Sequence, residues 1–479
     1  MNARVYLSAA HKSSGKTTIA IGLCAALKAS GLSVQPYKKG PDYIDPLWLT
    51  QASGRPCYNL DFHTMTVEEI TQCFARASHG ADICVIEGNK GLFDGVALDG
   101  SNSNAALAHT LSAPVVLVID AHGISRGIAP LVIGYRHFDP TLPIAGLILN
   151  RVGGARHEAK LRAVLSAYTD VPVLGALQES AALAITERHL GLVPSGEWAG
   201  ASAVIGRLAQ VISDHVDVAA IAALGREAPL LGRVPRIKAA PRSVRIGVAR
   251  DAAFSFYYPG DLEALTAAGA ELVFFDTLKD THLPDVDGLL IGGGFPETQA
   301  RALAANTALR AAIRKAIEEG LPAYAECGGL MYLARSVTWQ HERFPMVGVI
   351  AGDAVMEDKP VGHGYVVLKP TNAHPWTSWR AQQGKTLPAH EFHYSRLVNV
   401  DPDTVFAYEV ARGHGVDGRH DGIVYKNLLA GYGHLRDVQA SPWTEHFLAF
   451  VRSCRAARLD VAAGRLCASR ERELVYHGV

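Results

Sequence analysis

The sequence lacks the features of membrane-spanning and secreted proteins. It contains no run of eighteen apolar residues, so no segment is long enough to cross a bilayer as a helix. Its first residues, 4–8, have a strand pattern rather than the charged and then apolar pattern of a leader peptide. The seven cysteines are odd in number and form neither a CxxC pair nor a zinc-ligand spacing, which favours reduced thiols. We expect a cytoplasmic protein that does not bind membranes.

An excess of charge of one sign is also absent. Lys and Arg total 46, and Asp and Glu total 46, so the composition argues against a general nucleic-acid binder or a binder of anionic membranes. Hydrophobic residues are abundant, at 48%, and glycine is frequent. Together with a length of 479 residues, this composition predicts a large α/β protein with two domains.

The chain order supports two domains with different chemistry. Residues 1–225 are predicted to form a first α/β domain with a parallel sheet, and residues 244–450 a second α/β domain. Residues 226–243 are rich in proline and arginine and lack periodicity, so we interpret them as a linker. The basic segment 451–479 is a C-terminal extension, predicted to form an added helix with no assigned chemistry.

A phosphate-binding loop is predicted directly after the first strand. The strand 5–9 is followed by the segment AHKSSGKTT and then by apolar residues at helical spacing, which is the context of a P-loop. Ala10 stands where the motif usually has its first glycine, and a capped helix start with a chance GKT is the alternative. The predicted ATP-binding residues are Lys12, Ser13, Ser14, Gly15, Lys16, Thr17 and Thr18.

Acidic residues follow at several predicted strand ends of the first domain. The segment KKGPDYIDP places two lysines and two aspartates around a turn, which could hold Mg²⁺ and an anionic substrate or simply be a solvated turn. A buried strand ends on Glu87, a predicted magnesium ligand or holder of water. Asn150 and Arg151 end another strand, where either a contact to the nucleotide base or a structural turn fits. The predicted metal ligands are Thr17, Asp45 and Glu87.

The second domain carries a candidate cysteine nucleophile. An apolar strand pattern ends at Cys327, and two glycines and a helix pattern follow. Such a tight turn lifts the thiol out of the sheet, and the helix N-terminus favours the thiolate; a buried structural cysteine is the alternative. The glycine turn 292–294 could supply backbone amides, so we predict an oxyanion hole formed by Gly293 and Gly328, with a plain tight turn as the alternative.

A thiol nucleophile requires a base, and His434 in the segment GYGHLR is the leading candidate. His390 and His393 compete with it. These two histidines and Glu391 could instead line a contact with the first domain.

The order of these motifs resembles that of one protein family. The P-loop, KKGPDYIDP, EGNKGLFDG, TERHLGLVP, GGGFPE, AECGG, HEFHYS and GHL are similar to the CobB/CbiA family of glutamine-dependent cobyrinate or hydrogenobyrinate a,c-diamide synthases, over residues 3–440. The resemblance implies a synthetase domain like dethiobiotin synthetase and a class I glutamine amidotransferase domain, with Cys327 as nucleophile and His434 as base. The family lacks the usual third Glu of class I triads, and Arg436 stands two residues after the histidine. The residues that the resemblance assigns to the synthetase site are Asp42, Tyr43, Asp45, Glu87 and Asp94.

The resemblance also implies an activity. It predicts ATP- and glutamine-dependent amidation of the a and c acetates of cobyrinate or hydrogenobyrinate in cobalamin biosynthesis, through an acyl phosphate and ammonia from a Cys–His glutaminase. The expected partners are glutamine, ATP with Mg²⁺ and a carboxylated tetrapyrrole, and a homodimer is left open. Leu49 stands where the corrin enzymes carry a histidine, so sirohaem and nickel-sirohydrochlorin remain alternative substrates. A switch-like ATPase and a regulator with an inactive glutaminase half are the competing classes.

Overall fold

The computed structural model describes residues 3–180, 185, 187–188, 191–198, 200–229, 240–380 and 384–462. The chain divides into two compact units, Met1–Arg236 and Ile237–Val479, here called unit one and unit two. Residues 230–239 of the predicted linker and 463–479 of the predicted extension lie outside the described residues. Three residues of the TERHLGLVP segment also lie outside them.

Unit one is built on a parallel sheet. In the described part of the chain the strand order is β3-β2-β4-β1-β5-β6-β7, and every pairing is parallel. Nearly every strand residue is buried, as expected for a sheet covered on both faces. The predicted parallel sheet is therefore confirmed. Its strands are β1 (Arg4–Ala9), β2 (Val34–Lys39), β3 (Tyr58–Leu60), β4 (Ile83–Glu87), β5 (Val115–Asp120), β6 (Ile144–Val152) and β7 (Val173–Gln178).

The helices of unit one pack against this sheet. The first of them, after the P-loop, is apolar on nearly all sides, because it also packs against a later helix of the unit. A Cβ at Gly22 would lie 2.6 Å from Ile212, so this close packing requires glycine. The helices are α1 (Lys16–Ala29), α2 (Ile44–Ser53), α3 (Val67–Ala77), α4 (Asn104–Thr110), α5 (Ile128–Phe138), α6 (Ala155–Tyr168), α7 (Ala201–His215) and α8 (Val218–Arg226). Two short strands, β8 (Glu187–Arg188) and β9 (Gly191–Leu192), pair antiparallel, and a 3₁₀ turn covers Ser195–Glu197.

Unit two contains a mixed sheet, ordered β11-β10-β12-β13-β22-β21-β20-β17-β18 in its described residues, and a smaller sheet ordered β15-β14-β16-β19. The first five strands of the mixed sheet are parallel and the remaining pairings are antiparallel. The strands are β10 (Val244–Ala249), β11 (Ala270–Phe275), β12 (Gly288–Ile291), β13 (Ala323–Glu326), β14 (Ala334–Trp339), β15 (Glu342–Pro345), β16 (Ile350–Met356), β17 (Gly362–Pro370), β18 (Leu387–His393), β19 (Ser395–Val398), β20 (Val405–Arg412), β21 (His420–Tyr425) and β22 (Leu428–Gly431).

The helices of unit two show the expected apolar stripes. The helix over residues 307–318 buries Leu309, Ile313 and Ile317, which recur every four residues on one face. The last helix runs across the predicted domain boundary at residue 450. No helix among the described residues is long and apolar enough to cross a membrane. The helices are α9 (Pro259–Ala267), α10 (Ala300–Ala305), α11 (Thr307–Glu318), α12 (Gly328–Leu333), α13 (Thr377–Arg380) and α14 (Trp443–Ala462), with a 3₁₀ turn at Pro296–Gln299.

The sheet topology decides which strand ends meet. In unit one, β2 and β1 both flank β4, and Lys38 pairs in register with Glu87. In unit two, β12, β13 and β22 are neighbours, and Glu326 pairs with Gly431. Because the carboxyl ends of parallel strands share one edge of a sheet, the loops that leave these strands converge there.

Candidate active sites

The P-loop of unit one lies between β1 and the N-terminus of α1. Gly15 is the N-cap and adopts a left-handed backbone with φ 85°. Asn150 Nδ2 donates a 2.9 Å hydrogen bond to the carbonyl oxygen of Ser14 and so holds the loop to the end of β6. The first-turn amides of a helix lack intrahelical acceptors, and α1 has no acidic residue in its first turn. The loop therefore provides donors and a favourable dipole for a phosphate group.

Lys16 is the cation at this helix start. Burial, and after it the charge of Lys38, lowers the pKa of Lys16 to about 8, although Glu87, Asp45 and Asp94 act in the opposite direction. The other predicted ATP-binding residues of the loop differ in exposure, since Lys12 and Ser13 are exposed and Ser14 is buried. An incoming phosphate would favour the charged form of the Lys16 ammonium.

Behind the loop, a hydroxyl, two carboxylates and a lysine form one cluster. Thr17 Oγ1 donates to Glu87 Oε1 at 2.6 Å and lies 3.2 Å from Asp45 Oδ2. Lys38 Nζ lies 2.5 Å from the same Asp45 oxygen and 2.9 Å from Glu87 Oε1. The Lys38 and Glu87 side chains are 5% and 0% exposed. The three predicted metal ligands are thus brought together, and a buried ammonium contacts both carboxylates.

The donor set fits a divalent cation. Hydroxyl and carboxylate oxygens are what Mg²⁺ prefers, and Mg²⁺ needs only one or two carboxylates when phosphates complete its shell. Glu87 Oε2 is buried and has no hydrogen-bond partner within the described part of the protein. No group of three His, Cys, Asp or Glu side chains arranged to hold a metal occurs among the described residues, so the site relies on Thr17 and on the ligand.

The other predicted synthetase-site residues surround this cluster. Asp42 Oδ1 accepts the amides of Ile44 and Asp45 at 2.9 and 3.1 Å and so holds the start of α2. Burial, and after it the charge of Asp45, raises the pKa of Asp42 to about 7. Tyr43 is buried, whereas Asp94 is exposed and accepts the amide of Gly91 at 2.8 Å.

The position with the unexpected leucine belongs to the core. Leu49 is 1% exposed on α2, and its neighbour Trp48 is fully buried and donates to the carbonyl oxygen of Val193 at 2.9 Å. The replacement of a histidine by leucine therefore changes buried packing and not an exposed surface of this structure.

A cavity of about 230 Å³ adjoins the P-loop. Asn150 lines the cavity in addition to its bond to Ser14, so it has the structural role that the sequence left open. Arg151 has φ 56° and forms an ion pair with Asp120 at 2.7 Å. The cavity is lined by Gly15, Thr18, Ile19, Asn150, Arg151, Leu177, Gln178, Glu179, Ser180 and Ile212.

In unit two, Cys327 lies at a strained turn between β13 and α12. Its backbone has φ 48° and ψ −101°, which is unusual for a residue other than glycine. Its amide donates to Gly431 on the neighbouring strand at 2.7 Å, and the residue is 6% exposed. A Cβ at Gly329 would lie 2.2 Å from the carbonyl oxygen of Ile291, so the turn cannot carry a larger residue there. The predicted turn after the strand is present.

His434 is the histidine that hydrogen-bonds to Cys327. Burial lowers the pKa of His434, but hydrogen bonds to Cys327 and Glu326 outweigh it and raise the pKa to about 10. Its Nδ1 lies 3.2 Å from Glu326 Oε2. Backbone hydrogen bonds in both directions join His434 to His390, at 2.7 and 3.2 Å. The predicted nucleophile and base are therefore adjacent.

The glycine turn after β12 lies against the same centre. A Cβ at Gly293 would lie 2.6 Å from His434 Cε1, and one at Gly328 would lie 3.1 Å from the amide nitrogen of Gly294. Only glycine allows the close approach of the first turn to the imidazole and of the two turns to each other. The predicted oxyanion-hole residues thus flank the Cys327–His434 pair.

The competing residues on β18 have other partners. His393 Nδ1 lies 2.8 Å from the carbonyl oxygen of Ser395, and its ring stacks on Tyr432 at 3.8 Å. Glu391 accepts the amides of His414 and Gly415 at 2.7 and 2.9 Å. These contacts fasten β18 inside unit two.

Two residues at these sites were not assigned a role from the sequence. Lys38 was recognised only as part of a charged turn, although it lies in register with Glu87 on the adjacent strand. Glu326 directly precedes Cys327, and its position in the sequence does not indicate that it contacts His434. The signal for both was a charged residue at the carboxyl end of a buried parallel strand.

Comparisons with known proteins cover both units. Residues 9–193 match the CobQ/CobB/MinD/ParA nucleotide binding domain, and residues 245–438 match the CobB/CobQ-like glutamine amidotransferase domain. A cobyrinate a,c-diamide synthase of Magnetococcus marinus is 45% identical, over 94% of this chain and 97% of that protein. The chain belongs to the cobyrinate a,c-diamide synthase family. The family and the two-part α/β architecture predicted from the sequence are thus confirmed.

Other members of the family match over similar lengths. The cobyrinate a,c-diamide synthase of Methanosarcina acetivorans is 39% identical, over 91% of this chain and 92% of that protein. The one from Listeria monocytogenes is 39% identical, over 91% of this chain and 96% of that protein. The P-loop cluster falls within the matched nucleotide-binding range, and Cys327 and His434 fall within the matched amidotransferase range.

Proposed function

We propose that this protein is a carbon–nitrogen ligase that uses ATP and glutamine to amidate the a and c acetates of cobyrinate or hydrogenobyrinate. The observation that carries the proposal is the hydrogen-bonded Cys327–His434 pair at a strained strand end, in the same chain as a P-loop with a carboxylate cluster. A switch-like ATPase has no use for such a pair. The relatives of this chain that are named cobyrinate a,c-diamide synthase support cobyrinate as the substrate.

The glutaminase reaction begins at the thiol. Cys327, whose proton His434 has accepted, attacks the side-chain amide carbon of glutamine as a thiolate, and a C–S bond forms as the carbonyl π bond opens to an oxyanion. His434 then gives the proton to the amide nitrogen as the C–N bond breaks, which releases ammonia and leaves a γ-glutamyl thioester. Water hydrolyses the thioester with His434 as base. The amides of Gly293 and Gly328 are proposed to donate to the developing oxyanion.

The synthetase reaction activates the substrate. A carboxylate is a poor electrophile, and transfer of the γ-phosphoryl group of ATP to the acetate gives an acyl phosphate that ammonia can attack. Lys16 and the P-loop amides bind and orient the phosphates. Mg²⁺, which Thr17, Asp45 and Glu87 would hold, supplies positive charge that offsets the phosphate oxygens.

The residues around this cluster are proposed to bind the two ligands. The cavity beside Gly15 and Asn150 is proposed to take the nucleoside part of ATP, because it opens next to the phosphate loop. The substrate acetate is proposed to lie near the cluster of acidic residues and Tyr43. The residues proposed to orient it are Asp42, Tyr43, Asp45, Glu87 and Asp94.

Mass spectrometry of the product tests this function. The purified protein is incubated with ATP, Mg²⁺ and glutamine, and separately with cobyrinate and with sirohaem. We expect two successive amidations of cobyrinate, each adding one nitrogen and removing one oxygen. Amidation of sirohaem alone would retain the mechanism and overturn the substrate. ATP hydrolysis without amidation of either macrocycle would overturn the ligase proposal.

A further inference from the structure

A buried carboxylate contacts Nδ1 of the imidazole in the glutaminase centre. Glu326 is 7% exposed and accepts three hydrogen bonds. Its Oε1 accepts the Tyr324 hydroxyl at 2.6 Å and the Leu435 amide at 3.0 Å. Its Oε2 lies 3.2 Å from His434 Nδ1. The carboxylate is therefore fixed in position before any substrate binds.

This contact determines how the imidazole can act. With Nδ1 donating to Glu326, the other ring nitrogen, Nε2, is left to take the proton of Cys327. Once protonated, the imidazolium faces a carboxylate within a buried site, where the opposite charge stabilises it more strongly than in water. In cysteine and serine hydrolases, a third group that orients the base has this role.

We propose that Glu326 is the positioning carboxylate of the glutaminase centre, acting on His434 from the residue directly before the nucleophile. The inference rests on the proposed glutaminase function. The residue two places after the histidine cannot take this role, because the Arg436 guanidinium is a cation that has no acceptor for the imidazole N–H. Parallel pairing of β13 with β22, with Glu326 opposite Gly431, brings the carboxylate beside the turn that carries His434.

Tyr324, which donates a hydrogen bond to Glu326, is itself held by packing in the core. The Tyr324 ring packs in the core against Trp376 and Trp443, with centroid distances of 5.3 and 5.0 Å. The backbone of His434 is held by its two hydrogen bonds to His390. Ionisable groups near the thiol, the imidazole and the carboxylate include His390, Tyr257, Tyr324, Tyr408 and Tyr432.

The test uses the full-length protein with the isosteric substitution Glu326→Gln. Two readouts are measured, the glutaminase kcat and KM, and the rate at which iodoacetamide alkylates Cys327 as a function of pH, read by mass spectrometry of the Cys327 peptide. We expect kcat to fall by at least ~100-fold, as for loss of the orienting carboxylate in other triads, with KM for glutamine changed by less than about twofold. Alkylation should slow at neutral pH, and its rise should move to higher pH.

A matched carboxylate provides the control. Asp353 is also 7% exposed, and it accepts Ser336 Oγ at 2.7 Å and Arg343 Nη2 at 2.8 Å in the smaller sheet. Asp353→Asn should reduce stability and leave kcat and the alkylation profile unchanged. If Glu326→Gln behaves like Asp353→Asn in both readouts, Glu326 has no positioning role.

If Glu326→Gln fails to fold, two milder variants test the proposal. Glu326→Asp keeps the charge and should recover part of the lost rate, and Tyr324→Phe removes one hydrogen bond to the carboxylate and should lower kcat to a smaller extent. Wild-type kcat in both would overturn the proposal. If the wild-type protein hydrolyses no glutamine, the proposed function is overturned. Alkylation of Cys327 needs no glutamine, so the effect of Glu326 on the thiol is measured even in that case.

Discussion

Lys38 Nζ lies 2.9 Å from Glu87 Oε1, on a carboxylate that is completely buried behind the P-loop. The same ammonium lies 2.5 Å from Asp45. Burial lowers the pKa of Lys38, but the charges of Asp45 and Glu87 outweigh it and hold the pKa well above its usual value. A protein cation therefore compensates the two carboxylates that are proposed to hold Mg²⁺.

Removing the Lys38 ammonium should make the stability of the protein depend on bound Mg²⁺. Lys38→Met leaves two buried carboxylates without their counter-ion, which we expect to cost about 3–5 kcal/mol of stability. Added Mg²⁺ should raise the thermal midpoint of Lys38→Met by more than that of the wild type, because binding to the native state stabilises it. Thermal unfolding with and without Mg²⁺ measures this. The double variant Lys38→Met/Glu87→Gln should lose most of the Mg²⁺ response, and an equal response in wild type and Lys38→Met would contradict the prediction.

Gly15 is required both by its backbone and by its neighbour. Its φ is 85°, and a Cβ there would lie 2.2 Å from Asn150 Nδ2. Gly15→Ala should therefore weaken ATP binding strongly, since the left-handed backbone alone costs about 1–2 kcal/mol and the clash moves the loop. Calorimetric titration with ATP measures the affinity. Gly31→Ala is the matched control, because Gly31 has φ 91° with nothing within 4 Å of the added Cβ, and it should retain ATP affinity.

Cys327→Ala should separate the two nitrogen sources. We expect amidation with glutamine to be abolished and amidation with ammonia to persist, because the thiol is needed only to release ammonia. Product formation with each source is followed by mass spectrometry. Cys454→Ala, at a half-buried cysteine on α14, is the control and should keep both activities. Loss of ammonia-dependent amidation in Cys327→Ala alone would contradict the two-site mechanism.

Lys16→Ala should have the complementary effect. Without the ammonium at the start of α1, phosphoryl transfer should fail, so amidation is lost with glutamine and with ammonia alike. Glutaminase activity should be kept in part, because Cys327 and His434 are intact. Glutamate release and amide formation are measured in parallel. Substantial amidation by Lys16→Ala would show that the lysine does not stabilise the transferring phosphate.

The raised pKa of His434 should appear in the pH dependence of stability. Its folded-state pKa of about 10 exceeds the unfolded value of about 6.5, so the native state binds more protons between these values. The contribution is fully present below about pH 6.5 and is lost as the pH rises through about 10. Urea unfolding of unit two across this window should show the wild type losing more stability than His434→Gln. Parallel curves for the two proteins would show that the imidazole is not held in its charged form.

Much of both sites could be read from the sequence because their signals are local. The strand–GKT–helix order predicted the P-loop, and a strand that ends at Cys327-Gly328-Gly329 predicted the turn that the structure shows at φ 48°. Continuous apolar runs predicted the parallel sheet of unit one, and the predicted strand 5–9 is β1 with one more residue at its start. The antiparallel half of unit two was not predicted, since its strands mix exposed with buried residues and so lack a continuous apolar run.

The sequence by itself determined the family and the order of the two units, and it selected Cys327 and His434 as the proposed nucleophile and base, because each of these inferences depends on residue types in short motifs. Only the tertiary structure decided which charged residues meet. Lys38 reaches Glu87 through strand register, Asn150 reaches Ser14 across 136 residues, and Glu326 reaches His434 across 108. Contacts of this kind follow from the order of strands in a sheet, which no short stretch of sequence specifies, and so the carboxylate next to the nucleophile acquired its partner only when β13 paired with β22.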